Sequence, residues 1–241
     1  MSTLTEPPSV PALYSFLLGT IVSGSLIIAF LRHEMSPHMT PFASYLGSLA
    51  LFHFLEYYWQ AKYHPSTTTS EGKDSWKLFP FIFSLAFLLN HSKEYLMAII
   101  AGVLEYSVKR LLNLSPVFLC FQLIGLTMVA FGILIRSIAM ITAASNFSHN
   151  IWKDLSDGHK LVTEGVYSFC RHPSYLGFFA FAVGGQVILG NYISSAIFIF
   201  ILQKFFRERI VYEESILLKT YPKEYADYKK KTWSGIPFNS D

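Results

Sequence analysis

Charge is what this chain has least of. Asp, Glu, Lys and Arg make up 15% of its 241 residues, against about 25% in a soluble domain. The shortage is uneven: long stretches carry no charge at all, as in a chain whose solvent alternates between lipid and water. Cysteine is nearly absent too. Cys120 and Cys170 form neither a disulfide framework nor a zinc spacing, so no metal ligands are expected. No Lys or Arg precedes the first apolar stretch, which begins near Leu13, so no cleavable signal peptide is expected. The chain has no G-x-G-x-x-G and no alternation of strand-like and helix-like segments, which excludes a Rossmann-type nucleotide site. A net charge of only +3 gives no reason to expect a nucleic-acid partner.

What is present is apolar runs, 52% hydrophobic residues overall. Tyr14–Leu31 ends at Arg32, His33 and Glu34. Phe42–Trp59 contains His53 and Glu56 and closes on the aromatic cluster Tyr57, Tyr58 and Trp59, residues that favour a membrane–water boundary. Leu78–Leu89 is too short to span, since a crossing needs about 20 residues. Tyr95–Val108 becomes long enough only when extended to Leu114, at the cost of Glu105, Lys109 and Arg110. Phe118–Ala143 is long and holds Arg136. Pro173–Leu189 and Tyr192–Phe206 are separated only by Gly190 and Asn191, which reads as a tight hairpin. For His53, Glu56 and Arg136, packing between helices is the reading weighed ahead of function. The expectation is an all-α, polytopic membrane bundle of about six spans. Residues 1–143 supply N-terminal membrane helices, and 144–241 form a C-terminal catalytic region within one integrated domain. With Leu78–Leu89 not spanning, fifteen Lys and Arg fall on the side of the termini and three on the other; with it spanning, thirteen and five. The positive-inside rule favours the first arrangement, with the C-terminus cytosolic.

Three segments bear the unusual residues. The first runs from Asn146-Phe-Ser-His149 to Asp157-Gly-His159-Lys160-Leu161-Val162 and reads, alone, as a solvated loop. The second is Tyr167-Ser-Phe-Cys-Arg171-His172-Pro173-Ser174-Tyr175-Leu-Gly177. Pro173 suits the first position of a helix. Arg171 and His172 before it are either interfacial anchors or a place for a carboxylate or phosphate. In the third, Arg207–Glu214, residues Arg209 and Glu213 share a helical face, as do Glu208 and Tyr212. Alone it reads as a membrane-exit helix with ordinary ion pairs. The run Lys229–Lys231 reads as a solvated or lipid-headgroup contact. A membrane hairpin between the second and third segments returns the chain to where it left, so the two should lie side by side.

Arg171-His172-Pro173-Ser174-Tyr175-Leu176-Gly177, followed by Glu213-Glu214, resembles the C-terminal signature of membrane methyltransferases. With Phe52–Tyr57, Leu89–Ser92, Asn146–His149, His159–Val162, Gly165–Tyr167, Glu224–Lys229 and Gly235–Phe238, the chain is similar to the isoprenylcysteine carboxyl methyltransferase family over roughly residues 45–238. The Arg-His-Pro element is shared with phospholipid methyltransferases; the combination is far more specific. The resemblance implies an endoplasmic-reticulum enzyme whose active site faces the cytosol. It would methylate the carboxylate of a C-terminal prenylated cysteine on processed C-a-a-X proteins, with S-adenosyl-L-methionine as donor. It further implies cofactor contacts at His159, Lys160, Leu161, Val162, Tyr167, His172, Pro173, Ser174, Tyr175 and Glu213, with Arg209 holding the substrate carboxylate. Trp152 departs from the pattern at one expected polar contact. The expected partners are prenylated proteins and membrane lipid, with oligomerisation left open. A phospholipid N-methyltransferase, an NADPH-dependent sterol reductase and a non-enzymatic transporter or scaffold stand as alternatives.

The chemistry expected of such a site is in-line displacement. A C-terminal carboxylate has a pKa near about 3.5 and is already ionised at cytosolic pH, so no general base is needed. The protein must orient the partners and exclude water. Arg209 suits a carboxylate, Glu213 suits hydroxyl or ammonium groups, and the Tyr167 and Tyr175 rings would offer aromatic surface to the donor.

Overall fold

A computed structural model describes residues 17, 19–26, 28, 39–63, 93–114, 118–147 and 160–237. Leu78–Leu89, Asn90–Ser92, Ser148, His149, Trp152, Asp157–His159 and Phe238 lie outside the described residues. Among those described, residues 19–26 are helical, and longer helices follow: α1 (Met39–Tyr63), α2 (Lys93–Leu111), α3 (Leu119–Ala143), α4 (Pro173–Ile188), α5 (Tyr192–Thr220) and α6 (Pro222–Lys231). The β-type pairing described is a single isolated bridge, Cys170 with Trp233. The expected all-α class is what the chain adopts.

From Phe42 to Trp59 and from Tyr95 onward the apolar runs and the helices coincide within a few residues, with one difference. The membrane run ending at Phe206 and the charged segment after it form one continuous helix, α5. No Pro or Gly interrupts Tyr192–Thr220, so the change from apolar to charged sequence alters the surroundings without breaking the hydrogen-bond ladder. Pro222 ends it, because it cannot donate to the preceding turn, and then serves as the first residue of α6. Among the described residues one helix, Leu119–Asn146, is both long and apolar enough to cross a membrane, with a mean hydropathy of 2.1. Pro173–Ile188 is apolar but shorter. Met97, Ile100, Leu104, Val108 and Leu111 on α2 are all exposed, as are Leu123, Phe131 and Leu134 on α3 and Phe200 and Ile201 on α5. Apolar surface on this scale opposes solution in water and suits contact with lipid.

The chain divides into two compact units. The first comprises Met1–Leu126 and Gly185–Ser194. Here the charges that weakened α2 as a span find their use. The Glu105 carboxylate accepts from the backbone N–H groups of Ile193 (3.3 Å) and Ser194 (2.8 Å) and from the Ser194 hydroxyl (2.5 Å), capping the N-terminus of α5. The Lys109 ammonium donates to the carbonyls of Leu189 (3.4 Å) and Gly190 (2.5 Å), closing the C-terminus of α4. Each sign of charge meets the end of the helix dipole that it complements. The turn between is a Schellman motif: Gly190 has φ 64°, its N–H reaches Val187, and the Asn191 N–H reaches Gln186. Asn191 Nδ2 then donates to the carbonyl of Gly102 (2.8 Å) and to Gln186 Oε1 (2.9 Å). The expected Gly190–Asn191 hairpin turn is thus fastened by α2. His53, in α1, lies 3.1 Å from the Tyr95 hydroxyl, an interhelical contact of the packing kind.

The second unit comprises Thr127–Gly184 and Ser195–Asp241. Its helices approach most closely where Gly132 of α3 meets Gly177 of α4. A Cβ on Gly132 would lie 2.5 Å from the Gly177 carbonyl oxygen, and one on Gly177 would lie 2.6 Å from that of Gly132. Small residues at a crossing let two backbones touch, the usual means of helix association in lipid. Phe206, Ile210 and Ile236 form a core beside it, packed by Tyr175, Phe178, Phe179 and Leu202.

Candidate active site

The site is built within the second unit from both ends of the α4–α5 pair. Pro173 opens α4, so the residues before it are backbone with unspent donors. Those donors are taken by the chain that follows α6. The Arg171 N–H reaches the Trp233 carbonyl (2.8 Å), the His172 N–H reaches the Ser234 carbonyl (3.1 Å), and the Trp233 N–H returns to the Phe169 carbonyl (3.2 Å). Gly235 makes this approach feasible. Its φ is 104°, and a Cβ there would lie 2.5 Å from Cys170 Sγ. Cys170 is buried, and burial pushes its thiol up to about 11, so it is an inert packing group.

Behind this loop lies a buried ionic knot. The Glu214 carboxylate accepts from Arg171 Nε (2.9 Å), His172 Nε2 (3.2 Å) and Lys229 Nζ (2.6 Å). Arg171 also donates to the carbonyls of Lys229 and Thr232. Burial alone would raise the Glu214 pKa. The donors from His172, Lys229 and Arg171 outweigh it and hold the carboxyl well below the usual range. A carboxylate only accepts, so the shared proton sits on His172 Nε2. This corrects two sequence readings. Arg171, of whose two readings one was an anion receptor at a helix start, is engaged by Glu214 of the same chain, and Lys229, though still partly exposed, pairs with Glu214 rather than with solvent or headgroups alone. Glu208 and Tyr212, by contrast, are exposed.

In front lies a second polar cluster. Arg209 Nε donates to the Tyr175 hydroxyl (2.8 Å), which donates in turn to Glu213 Oε2 (2.5 Å). Arg209 and Glu213 share a face of α5, as expected, and Tyr175 of α4 joins them. The Tyr175 ring stacks with His172 (centroids 5.3 Å apart, 1° between planes) and with Phe206 (5.0 Å, 20°). Its faces are therefore occupied. The expectation that Tyr175 offers aromatic surface to a donor gives way to a role for its hydroxyl. His172 Nδ1 lies 3.8 Å from Glu213 Oε2, whose side chain is 32% exposed. Ser174, buried, accepts from Arg136. Tyr167 reaches the Ala139 carbonyl (3.4 Å), and its own carbonyl accepts from the Tyr228 hydroxyl (2.6 Å). Burial, and then the Glu213 charge, push the Tyr167 phenol well above its ordinary value, so it remains a donor.

The structure thus brings Tyr175, Arg209 and Glu213 into one hydrogen-bonded group, with His172 beside it and Pro173 and Ser174 on the same helical turn. Lys160 and Leu161 make their described contacts outside this hydrogen-bonded group. The Lys160 N–H donates to Asn146 Oδ1 (2.9 Å), and Leu161 lines an open groove of about 480 Å³ with Thr163, Ser168, Glu224, Asp227, Tyr228, Lys231 and Thr232. His159 lies outside the described residues. Sequence reasoning missed the Glu214–Arg171–Lys229 knot. Its one signal was a second glutamate directly after Glu213, facing the other side of α5. It also set Arg136 aside as packing.

Residues 123–219 match the model of the isoprenylcysteine carboxyl methyltransferase (ICMT) family. The protein-S-isoprenylcysteine O-methyltransferase of Saccharomyces cerevisiae is 38% identical, covering 94% of this chain and 92% of its own length. That of Homo sapiens is 35% identical over 98% of this chain and 77% of its own, and that of Dictyostelium discoideum 39% over 81% and 77%. A solved structure of a eukaryotic intramembrane Ras methyltransferase ICMT superposes with a TM-score of 0.81 at 32% identity, covering 94% of this chain and 76% of the other.

Proposed function

Because this chain belongs to the isoprenylcysteine carboxyl methyltransferase family and methylates the C-terminal carboxylate of prenylated cysteine, we propose how its own residues do so. The donor is S-adenosyl-L-methionine, which supplies an electrophilic methyl group on a sulfonium. The donor set fits it. Glu213, partly exposed, accepts from hydroxyl or ammonium groups. His172, Pro173, Ser174, Tyr167 and Tyr175 frame the pocket, and His159–Val162 contribute from the loop before it. Arg209 orients the substrate carboxylate, because a guanidinium fits two oxygens at once. The observation that carries this reading is the Arg209–Tyr175–Glu213 chain of hydrogen bonds. One phenol separates the cation suited to the acceptor from the carboxylate suited to the donor.

Held by Glu213 and the Tyr167–Tyr175 segment, the donor would supply a methyl carbon to which a carboxylate oxygen bonds as the carbon–sulfur bond breaks. The substrate is already an anion, so no proton moves, and no side chain acts as base. Arg209 must not hold the anion too tightly, since its charge disperses during attack. Arg209 therefore works by orientation, and the apolar wall of Phe178, Phe206 and Ile210 keeps water out.

The enzyme works as a multi-pass protein of about six spans in the endoplasmic reticulum membrane, with residues 144–241 as its catalytic region facing the cytosol. Prenylated proteins arrive through the bilayer, and membrane lipid meets the chain directly. Phe169 (79% exposed) and Trp233 (45%) are joined backbone to backbone just before α4, beside exposed Lys230 and Lys231. That grouping suits the headgroup layer.

The test is methyl transfer from radiolabelled S-adenosylmethionine to N-acetyl-S-farnesylcysteine in membranes carrying the chain. Base-labile label that disappears in Arg209→Ala and Glu213→Ala supports both roles. An Arg209→Ala enzyme of undiminished kcat/KM refutes the assignment of the substrate contact.

A further inference from the structure

Arg136 is a charge in the one described helix long and apolar enough to cross a membrane, and the mechanism above makes no use of it. Its side chain is buried, and its guanidinium lies 5.5 Å from the centre of the Phe178 ring. One nitrogen, Nη1, donates twice to the same residue: to the Ser174 carbonyl (3.1 Å) and to the Ser174 hydroxyl oxygen (2.8 Å). A cation within a membrane helix is costly, up to about 2.5–3.5 kcal/mol at the helix centre on insertion scales. Its placement also runs against the helix dipole. Ser174 is in the first turn of α4, where the backbone is already positive and a cation is disfavoured by about 0.3–1 kcal/mol. A neutral amide would tie α3 to α4 without either cost. The cation therefore does something that a neutral link would not.

The hydroxyl of Ser174 shows what that is. A serine hydroxyl has one proton to give and two lone pairs to receive with. Arg136 occupies a lone pair. Among the described residues, no acceptor takes the Ser174 proton. A hydroxyl that receives from a cation becomes a stronger donor, because each hydrogen bond polarises the next. The neighbouring turns of α3 hold this arrangement in register. Gly132 meets Gly177, Ala139 receives the Tyr167 hydroxyl, and Thr142 lies against Gly165, so positions 132, 136, 139 and 142 address the catalytic segment along one face.

We propose that Arg136 is a positioning residue that commits the Ser174 hydroxyl to donating into the cofactor site, toward an acceptor group of the methyl donor. The proposal rests on the reading of Tyr167–Tyr175 and Glu213 as that site. Ser174 touches the ligand, and Arg136 acts on it through Ser174. The two residues then form one functional unit, and their effects on cofactor affinity do not add.

The test uses the full chain purified in detergent or nanodiscs. Equilibrium binding of radiolabelled S-adenosylmethionine is measured for wild type, Arg136→Gln, Ser174→Ala and the double variant, with Ser174→Thr as the conservative partner. The expected result is a Kd raised about tenfold in each single variant, the size of one hydrogen bond to a charged or polarised group. The double variant should be no weaker than the weaker single one, and Ser174→Thr, which keeps the hydroxyl, should bind within threefold of wild type. The KM for N-acetyl-S-farnesylcysteine should not move, whereas general loosening of the fold would raise it as well. Multiplicative effects in the double variant, or wild-type affinity in Ser174→Ala, overturn the proposal; Ser174→Ala decides the matter even if Arg136→Gln does not fold. Glu213→Gln separates the two levels of argument. If it weakens binding while Ser174→Ala does not, the inference fails alone. If neither weakens binding, the site reading fails with it.

Discussion

Replacing Glu214 by Gln removes a charge that three donors share. The Arg171 and Glu214 side chains are 1% and 6% exposed, so the guanidinium loses a partner in surroundings with little water to replace it. Breaking a buried pair from one side costs about 3–5 kcal/mol. Lys229 is 37% exposed and counts as a surface pair, about 0–1 kcal/mol. Glutamine keeps one carbonyl acceptor, so the net loss is taken at the lower end, about 3 kcal/mol. Cys170 reports it directly, because its thiol is buried next to Arg171 and against Gly235. In a Cys120→Ser background, a thiol reagent reaches Cys170 only when the loop opens. A penalty of about 3 kcal/mol, with a factor of ten per ~1.4 kcal/mol, raises the labelling rate about a hundredfold at pH 7.5. The pH dependence has a definite sign. A carboxyl held below its ordinary value contributes stability that is fully present above that value, about 4.3, and is lost as pH falls through its folded value. The difference between the two proteins should therefore be flat from about pH 6 to 8 and shrink only on strong acidification. Labelling of Glu214→Gln within threefold of wild type at pH 7.5 would refute the account of the knot as the loop's support.

Gly132→Ala should force α3 and α4 apart, since its new methyl would sit 2.5 Å from the Gly177 carbonyl oxygen. A cost of about 1–3 kcal/mol is expected as a lowered Tm in detergent, with a loss of kcat/KM that Val129→Ala, elsewhere on α3, does not reproduce. Ala144→Gly should do the reverse. Ala144 holds φ 47° where α3 ends, a conformation costing an L-residue about 1–2 kcal/mol. After glycine's own entropy is set against that, a gain of about 0.5–1 kcal/mol remains, read as a Tm higher by about 2 °C. An unchanged or lowered Tm would contradict the strain.

The helices were legible because apolar runs and turn residues mark their ends independently of tertiary contacts. Pro173 opens α4 and Gly190–Asn191 closes it, as their chemistry requires. Arg209 and Glu213 were legible because two residues four apart on one helix share a face. Partnerships were not. Glu105 and Lys109 read as defects in α2, because nothing local says that helix ends of a distant hairpin await them. The Tyr175 ring was assigned to a donor without its neighbours, because His172 and Phe206 reach it through folding, one from three residues back and one from another helix. Arg136 read as packing because its partner lies 38 residues on.

The bridge between Phe169–His172 and Trp233–Ser234 has a consequence for biosynthesis. Translation is sequential, so Pro173 and its neighbours leave the ribosome while the residues that will clasp them are still untranslated. Until Trp233, Ser234 and Ile236 have emerged and folded back, the loop before α4 lacks its backbone partners. A nascent or prematurely terminated chain would then sit in the membrane without an assembled pocket, neither drawing on the methyl donor nor sequestering prenylated tails. Assembly of this loop is thus a late event relative to the synthesis of α4 itself.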